Sequence, residues 1–328
     1  MANADQLKAL IKSHADGDDN RFYSVALQVA ARAARSGQPH FAQELRELVD
    51  DLRSQRQRAR PLGRKPVPVA RPRGELADLL SVSYPDTRMA DLVLEDRVRR
   101  QLERVVLEQR QNERLRAQGF KALRRVLLIG PPGTGKTLSA SALAGELRLP
   151  LFLIRLDALI TKFMGETAAK LRLVFDALAE TRGVYLFDEV DALAGERTRG
   201  NDVGEIRRVL NSFLQFLEQE PSESLLVAAT NHPQLLDSAM FRRFDVAIEY
   251  PLPTSEVARA VIRNRLAMVK LGRIAWRGVD AAASGLSHSE ITLAAERAAK
   301  DAILAGEDRV GTERLVSALD ERHSRTDV

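Results

Sequence analysis

Short apolar runs alternate with stretches of helical periodicity over most of the chain. We predict five buried strands, each from an apolar run of five or six residues: 126–130, 151–155, 184–188, 225–229 and 246–251. Segments with apolar residues at helical spacing lie between them: 136–147, 166–180 and 203–218. This alternation is typical of an α/β fold in which a parallel five-stranded sheet is flanked by helices.

The pattern changes after the fifth strand. Beyond Pro251 and Pro253 it is purely helical. The periodic segments there are 255–269, 288–304 and 312–321. We therefore predict an α/β domain at 76–253 and a C-terminal helical domain at 254–328.

The N-terminal region has a different pattern of apolar and polar residues. Residues 1–53 carry three short amphipathic stripes, which Gly17 and Gly37 separate. These stripes predict a small helical bundle. Two roles for it are open: binding of a substrate or adaptor, or packing against the rest of the protein.

Residues 54–75 are predicted to be an extended linker. The stretch from Arg53 to Arg73 holds eight Lys and Arg residues, four prolines and no acidic residue. The prolines prevent a continuous helix, and the like charges repel one another. Because the stretch has no aromatic residue for base stacking, a solvated spacer is favoured over a nucleic-acid tether. The net charge of +5 therefore belongs to this segment and does not indicate a basic domain.

Composition argues against several classes of protein. Cysteine is absent, so there is no disulfide or thiolate–metal framework. The five histidines form no HExxH pair, which argues against a built-in zinc protease. No apolar run approaches the roughly 18 residues that span a bilayer, and the acidic N-terminus is unlike a signal peptide. We expect a cytoplasmic protein without membrane contact.

The strongest chemical signal is GPPGTGKT at 130–137, which we call the phosphate loop. It fits GxxxxGK[ST], follows a predicted strand and opens a predicted helix. Backbone N–H groups and the helix N-terminus would bind phosphates, Lys136 would neutralise their charge, and the Thr137 hydroxyl would ligate Mg²⁺. The predicted contacts to ATP are Pro132, Gly133, Thr134, Gly135, Lys136, Thr137 and Leu138.

A second signal is VYLFDEVDAL, where an apolar strand ends in acidic residues. Ligands bind at the carboxyl ends of strands in open α/β sheets. Asp188 would hold Mg²⁺ through water, and Glu189 would orient and deprotonate the attacking water. For Asp191, a surface or helix-capping role is as well supported as a role in the site.

Two further signals follow in order along the chain. LLVAATNHP ends a strand with Asn231, whose neutral amide could hold the attacking water beside the γ-phosphate. LDSAMFRRFD carries Arg242 and Arg243, which would act on the chain's own site or reach a neighbour's site as arginine fingers.

Residues 76–320 resemble the AAA family of ATPases through the order of these motifs. GPPGTGKT is similar to the family's Walker A motif, LFDE to Walker B, and TNHPQLLDSAMFRRFD to the second region of homology. The resemblance implies a helical lid and a ring, usually a hexamer, with ATP between neighbouring copies. It also implies that Asn231 is sensor 1 and that Arg242 and Arg243 act in trans.

Three further matches come from the resemblance. The pore loop that grips an extended polypeptide matches ALITKFMGE, with Lys162, Phe163, Met164 and Gly165 at its centre. The adenine pocket matches Leu92 and Val93, and also His288 and Ser289, which stand where the family usually has Gly and Ala. Arg207 and Arg208 match the positions that relay nucleotide state between subunits toward a second pore loop at about 194–203.

These matches favour a ring that remodels, unfolds or translocates protein. The chain also resembles bacterial AAA ATPases paired with a separately encoded subtilisin-like serine protease, which act in plasmid incompatibility and phage defence. Two alternatives are open: a nucleic-acid-associated ATPase such as a loader, supported by the basic linker alone, and a nucleotide-dependent scaffold. We expect ATP and Mg²⁺ as cofactors, a homo-oligomer and a protein substrate.

Overall fold

The computed structural model describes residues 74–159, 164–194, 203–236 and 238–326, together with Gln43 and Pro72. The chain divides into two compact units, Met1–Pro68 and Val69–Val328. The predicted helical bundle at 1–53 and most of the predicted linker at 54–75 lie outside the described residues. The described residues from Gly74 onward belong to the second unit.

The centre of this unit is a six-stranded sheet with the order β1-β3-β4-β5-β2-β6. The five predicted strands are confirmed and are parallel to one another. They are β2 (Arg125–Ile129), β3 (Leu151–Ile154), β4 (Val184–Phe187), β5 (Leu225–Thr230) and β6 (Val246–Glu249). Their carboxyl ends therefore meet at one edge of the sheet, as the predicted site requires.

The prediction of five strands missed one. Strand β1 (Leu80–Ser83) pairs antiparallel with β3, with Leu80 opposite Ile154. Its sequence, LSVS, is short, and only Leu80 is fully buried because the strand lies at the edge of the sheet with a single neighbour. Local apolar content does not distinguish such a strand from a loop.

Helices cover both faces of the sheet. They are α1 (Glu75–Leu79), α2 (Asp96–Arg110), α3 (Asn112–Ala117), α4 (Lys136–Leu147), α5 (Leu156–Leu159), α6 (Met164–Glu180), α7 (Val203–Gln219) and α8 (Ser238–Phe241). Short 3-10 helices occur at Met89–Asp91, Val190–Ala194 and Pro233–Leu235. Alternate residues of each central strand belong to different apolar clusters. Leu127 belongs to one cluster with Phe175 of α6 and Phe213 of α7. Leu128 belongs to another with Leu102 of α2 and Leu143 of α4. Because both faces are buried, these strands read as continuous apolar runs.

The C-terminal helices form a third apolar cluster. They are α9 (Ser255–Arg265), α10 (Trp276–Ala283), α11 (His288–Leu304) and α12 (Thr312–Thr326). Helix α11 presents buried alanines to its neighbours, and small side chains let α9 and α12 approach it closely. Helix α9 ends four residues before the predicted 255–269, and α10 was not predicted. None of the helices in the described ranges is long and apolar enough to cross a membrane.

Candidate nucleotide site

The phosphate loop connects the end of β2 to the start of α4. Its first glycine, Gly130, lies so close to the chain after β6 that a Cβ there would be 2.3 Å from the carbonyl oxygen of Tyr250. Gly133 has a positive φ of 73°, and a Cβ there would overlap the hydroxyls of Ser287 and Ser289. The loop can therefore keep this shape only with glycine at both positions.

The ammonium group of Lys136 lies inside this loop. Its Nζ donates hydrogen bonds to the carbonyl oxygens of Gly130 and Pro131, at 2.6 and 2.8 Å. Burial lowers the pKa of Lys136, and the carboxylates of Asp188, Asp191 and Glu189 oppose that shift. The N-cap of α4 is Gly135, which has no side chain to cap the helix. A positive helix end and a cation thus face the same space, which suits phosphate.

Thr137 and Asp188 meet beside the loop. The Thr137 hydroxyl donates to Oδ2 of Asp188 over 2.7 Å, although 51 residues separate the two in sequence. A hydroxyl and a carboxylate are oxygen donors of the kind that Mg²⁺ prefers. Both residues predicted to hold the metal are therefore brought together.

Glu189 is held in an unusual backbone conformation. It has a φ of 54°, and Arg148 is the other non-glycine residue with positive φ in the described part of the chain. Its N–H donates to Oδ1 of Asp188 at 3.1 Å, and its carbonyl accepts from Ala192 at 2.8 Å. The turn exposes the Glu189 side chain at the carboxyl edge of the sheet. Such a conformation costs about 1–3 kcal/mol and persists where the surroundings impose it.

Asp191 joins the acidic turn to the strand that carries Asn231. Its Oδ1 accepts a hydrogen bond of 2.7 Å from the buried hydroxyl of Thr230, and that hydroxyl accepts one of 3.0 Å from the N–H of His232. Thr230 also accepts, through its backbone carbonyl, from the N–H of Gly130 at 3.3 Å. Asn231 lies between two anchored neighbours. Sequence reasoning missed Thr230, whose signal was a polar residue at the end of an apolar strand.

Arg242 and Arg243 lie near the amino-terminal end of β2, whereas the phosphate loop follows its carboxyl end. They follow α8 and precede β6, and the carbonyl of Arg243 accepts from the guanidinium of Arg125 at 3.3 Å. Arg125 begins β2, whereas the phosphate loop follows the end of that strand. The strand has five residues and so spans about 16 Å. Neither arginine is therefore beside the phosphate loop of its own chain.

The two arginines differ in their surroundings. Arg243 makes an ion pair with Glu218 at 2.9 Å and donates to the carbonyl of Ala239 at 2.9 Å. Arg242 is exposed, and its guanidinium has no ion pair or hydrogen bond with the residues that the structure describes. Asp245 holds the same loop by accepting from the N–H groups of Arg124 and Arg125.

The segment predicted to contact adenine is firmly held by its own chain. Leu92 is buried, its N–H donates to the carbonyl of Met89, and its carbonyl accepts from the guanidinium of Arg99. Both backbone groups of Leu92 are thus engaged within the protein. Val93 packs against the apolar cluster of the C-terminal helices. Arg99 was not singled out from the sequence.

His288 and Ser289 begin α11 and meet the phosphate loop. The Ser289 N–H donates to the carbonyl of Gly133 at 3.0 Å. Ser287 caps the helix and, with Glu290, forms a capping box that fixes its first turn. The ring nitrogens of His288 are buried, and burial lowers the pKa of His288 while the charge of Glu95 opposes that shift. The first turn of α11 therefore contacts the phosphate loop.

The predicted pore loop falls mainly outside the described residues. Lys162 and Phe163 are not described, and Met164 and Gly165 are described only as the first backbone positions of α6. Arg207 and Arg208 lie in α7, with side chains outside the described set. Most of the second loop at 194–203 is likewise outside it. These residues stay predictions.

Comparison with known proteins agrees with this geometry. The family model for the ATPase family associated with various cellular activities (AAA) matches residues 126–252. The AAA family ATPase y4kL of Sinorhizobium fredii is 33% identical over 304 residues, covering 93% of this chain and 90% of the relative. The chain belongs to the AAA family of ATPases. As an AAA ATPase it binds and hydrolyses ATP with Mg²⁺.

Two other relatives cover part of this AAA ATPase. The ATP-dependent zinc metalloprotease FtsH of Acidothermus cellulolyticus is 31% identical over 256 residues, which are 73% of this chain and 38% of FtsH. The chain thus spans about two fifths of that protein's length. The crystal structure of the FIGL-1 AAA domain matches with a TM-score of 0.58 at 23% identity, over 76% of this chain and 90% of that domain. This likeness supports the fold alone.

Mg²⁺ and ATP fit the residues present. The glycine-lined loop, the enclosed ammonium of Lys136 and the uncapped start of α4 can receive phosphates, and the Thr137–Asp188 pair can receive the metal. No group of three or more His, Cys, Asp or Glu side chains within the described ranges could hold a metal ion.

Proposed function

We propose that this AAA ATPase assembles into a ring, in the first instance a hexamer, that uses ATP hydrolysis to remodel, unfold or translocate protein substrates. The observation that carries the ring is the separation of Arg242 and Arg243 from the phosphate loop of their own chain across the length of β2. A site that needs an arginine for the transition state must then receive it from a neighbouring copy.

The residues at the carboxyl edge of the sheet divide the chemistry among them. Lys136 holds the phosphates, and Thr137 and Asp188 would hold Mg²⁺, which would supply positive charge beside the phosphate oxygens. Glu189 orients the attacking water and removes its proton. Asn231 holds the same water without adding charge.

We assign the finger role mainly to Arg242. Its guanidinium is exposed and has no partner within the described residues, so it can extend across an interface without breaking an interaction. Arg243 would first have to leave Glu218 and the carbonyl of Ala239. We infer that Arg243 fixes the loop from which Arg242 projects.

Mixed rings test this assignment. Arg242→Ala and Lys136→Ala chains should each be inactive alone, since each lacks one half of every shared site. When the two are mixed, some interfaces pair an intact phosphate loop with an intact Arg242, so ATPase activity should return. Arg243→Ala should lower thermal stability and impair activity indirectly. Mixtures that stay inactive although both variants co-assemble would contradict action in trans.

The protein substrate is supported by the pore-loop match at Phe163 and by the similarity to FtsH, which is an ATP-dependent protease. An aromatic ring can grip an extended polypeptide without reading its sequence, because apolar contact is non-directional. A separately encoded serine protease as a further partner is part of the proposal. The alternative of a nucleic-acid loader rests on the basic linker.

The experiment for the substrate compares two polymers. A permanently unfolded, reduced and alkylated protein should stimulate ATP turnover, and single-stranded DNA should not. Phe163→Ala should lower the ratio of stimulated to basal turnover, while Met268→Ala, which removes a similarly large and 80% exposed side chain elsewhere, should leave that ratio unchanged. Stimulation by DNA in place of protein would favour the loader.

A further inference from the structure

His288 is the first residue of α11, and both nitrogens of its imidazole are buried. Neither Nδ1 nor Nε2 is accessible to solvent, and neither has a hydrogen-bond partner among the described residues. A neutral imidazole carries one donor and one acceptor. Buried polar atoms in native proteins are nearly always paired, because leaving one unpaired costs stability. Two unpaired nitrogens on one ring therefore indicate a partner outside the described residues, such as a bound ligand.

The ring lies where three parts of the nucleotide site meet. Its neighbour Ser289 donates to the carbonyl of Gly133 in the phosphate loop. Leu94 approaches Gly135 of the same loop, since a Cβ on that glycine would be 3.8 Å from a Leu94 methyl group. Glu95, the next residue after Leu94, is the charged group that acts on His288. The segment 92–95, the phosphate loop and the start of α11 thus lie beside one another around His288.

Burial, and not the surrounding charge, favours the neutral form of the imidazole. Burial lowers the pKa of His288, and the charge of Glu95 offsets this only in part. One oxygen of Glu95 already accepts from the N–H of Thr254 at 3.1 Å. The nearby carboxylate of Glu290 is engaged by the N–H and hydroxyl of Ser287, at 2.7 and 2.8 Å. A neutral ring is free to donate one hydrogen bond and accept another.

We propose that the imidazole of His288 hydrogen-bonds the adenine base of bound ATP. The edge of adenine offers an amino group that donates and ring nitrogens that accept, so it complements a neutral imidazole in either tautomer. This gives the chain a side-chain hydrogen bond to the base. The inference rests on the phosphate loop as the nucleotide site. It does not depend on which substrate the assembled ATPase acts upon.

Equilibrium binding of ATP tests the contact without relying on turnover. The full chain carrying Glu189→Gln is titrated with ATP by calorimetry, alone and with a second substitution. His288→Phe keeps a planar ring but cannot hydrogen-bond, and should weaken ATP binding about two- to tenfold. His288→Asn restores a donor and an acceptor and should recover part of the affinity. Thr292→Val removes a hydroxyl that donates to the backbone carbonyl of His288 at 2.7 Å but leaves the imidazole in place, so it serves as the control for a change in α11 and should bind like the parent.

Nucleotide analogues identify the atom that is contacted. The triphosphates of 7-deaza-adenosine and of purine riboside each remove one polar group of the base, and 2′-deoxy-ATP removes a ribose hydroxyl. If His288 contacts the base, one base analogue weakens binding to the parent but has a much smaller effect on His288→Phe. If 2′-deoxy-ATP behaves this way instead, the ring contacts the ribose and the proposal is overturned.

Thermal unfolding of the nucleotide-free protein separates a binding role from a packing role. His288→Phe should be at least as stable as the parent, because it no longer buries unpaired nitrogens. A lower melting temperature together with unchanged ATP affinity would overturn the proposal. If Lys136→Ala abolishes ATP binding while every His288 variant binds like the parent, the nucleotide site stands and this inference alone fails.

Discussion

Thr230→Val removes one hydroxyl from the junction between the acidic turn and the strand that carries Asn231. The hydroxyl donates to Asp191 at 2.7 Å and accepts from the N–H of His232 at 3.0 Å. Thr230 is fully buried, and valine has nearly the same shape. The substitution therefore removes two hydrogen bonds without creating a cavity.

The size of the effect follows from these two contacts. A hydrogen bond to a charged group contributes about 1.5–3 kcal/mol, and the lower end applies because Asp191 is partly exposed and can be rehydrated. The N–H of His232 belongs to an exposed residue and can also find water. We expect a loss of about 2 kcal/mol in the free energy of unfolding, which lowers the melting temperature by about 4–8 °C.

The same change should affect catalysis more than binding. Asn231 lies between Thr230 and His232, so releasing both anchors lets its amide move away from the attacking water. Loss of about 1–2 kcal/mol in the transition state corresponds to a fall in kcat of roughly 5- to 30-fold. ATP affinity should change little, because the contact from Thr230 to the phosphate loop is made by its backbone carbonyl.

The assay is steady-state ATP turnover, with binding measured separately in a Glu189→Gln background. Thr230→Ser keeps the hydroxyl and serves as the control: it should retain kcat while losing some stability with its methyl group. A Thr230→Val protein with the expected drop in melting temperature but wild-type kcat would refute the positioning role of the Asp191–Thr230 pair.

Three other predictions concern separate parts of the site. Glu189→Gln should bind ATP near normally and hydrolyse it at least about 100-fold more slowly, in single-turnover assays, because the amide cannot accept the proton of water; near-normal hydrolysis would exclude Glu189 as the base. Gly130→Ala should cost about 1–3 kcal/mol or more in chemical denaturation and weaken ATP binding, since its Cβ meets the carbonyl of Tyr250, whereas Gly278→Ala has room and should not destabilise. Burial lowers the pKa of His288 in the folded chain. Below the ordinary histidine pKa of about 6.5, the unfolded chain therefore takes up a proton more readily than the folded chain, and stability should fall as the pH drops through that range. The loss should be smaller in His288→Phe, measured as melting temperature against pH, and equal losses in both proteins would contradict a buried neutral ring.

Much of this fold could be predicted from the chain because the decisive signals are local. The five parallel strands are continuous apolar runs, since both faces of the sheet are covered. The phosphate loop occupies eight consecutive residues, and its glycines, Lys136 and Thr137 act from fixed offsets. Asp188 and Glu189 directly follow a strand, so their place at the carboxyl edge of the sheet follows from the sequence alone.

The edge strand and the partners of individual side chains required the tertiary structure. Strand β1 has too little apolar character to be recognised, and its pairing with β3 joins residues about 70 positions apart. Thr137 meets Asp188 across 51 residues, and Asp191 meets Thr230 across 39. Hydrogen bonds of this kind depend on how the strands align in the sheet. The pattern of apolar and polar residues along the chain does not specify that alignment.

The same distinction separates the two arginines and defines the pocket around His288. In sequence, Arg242 and Arg243 are an equivalent pair; in the folded protein one is held by Glu218 and the other is exposed. The identity of His288 is visible in the chain, but the burial of its nitrogens depends on the meeting of α11 with segments nearly 200 and more than 150 residues earlier. Sequence alone determined that this chain binds ATP on a parallel sheet, because that chemistry is encoded in contiguous motifs. Tertiary structure decided which side chains are free to act, because that depends on neighbours far away along the chain.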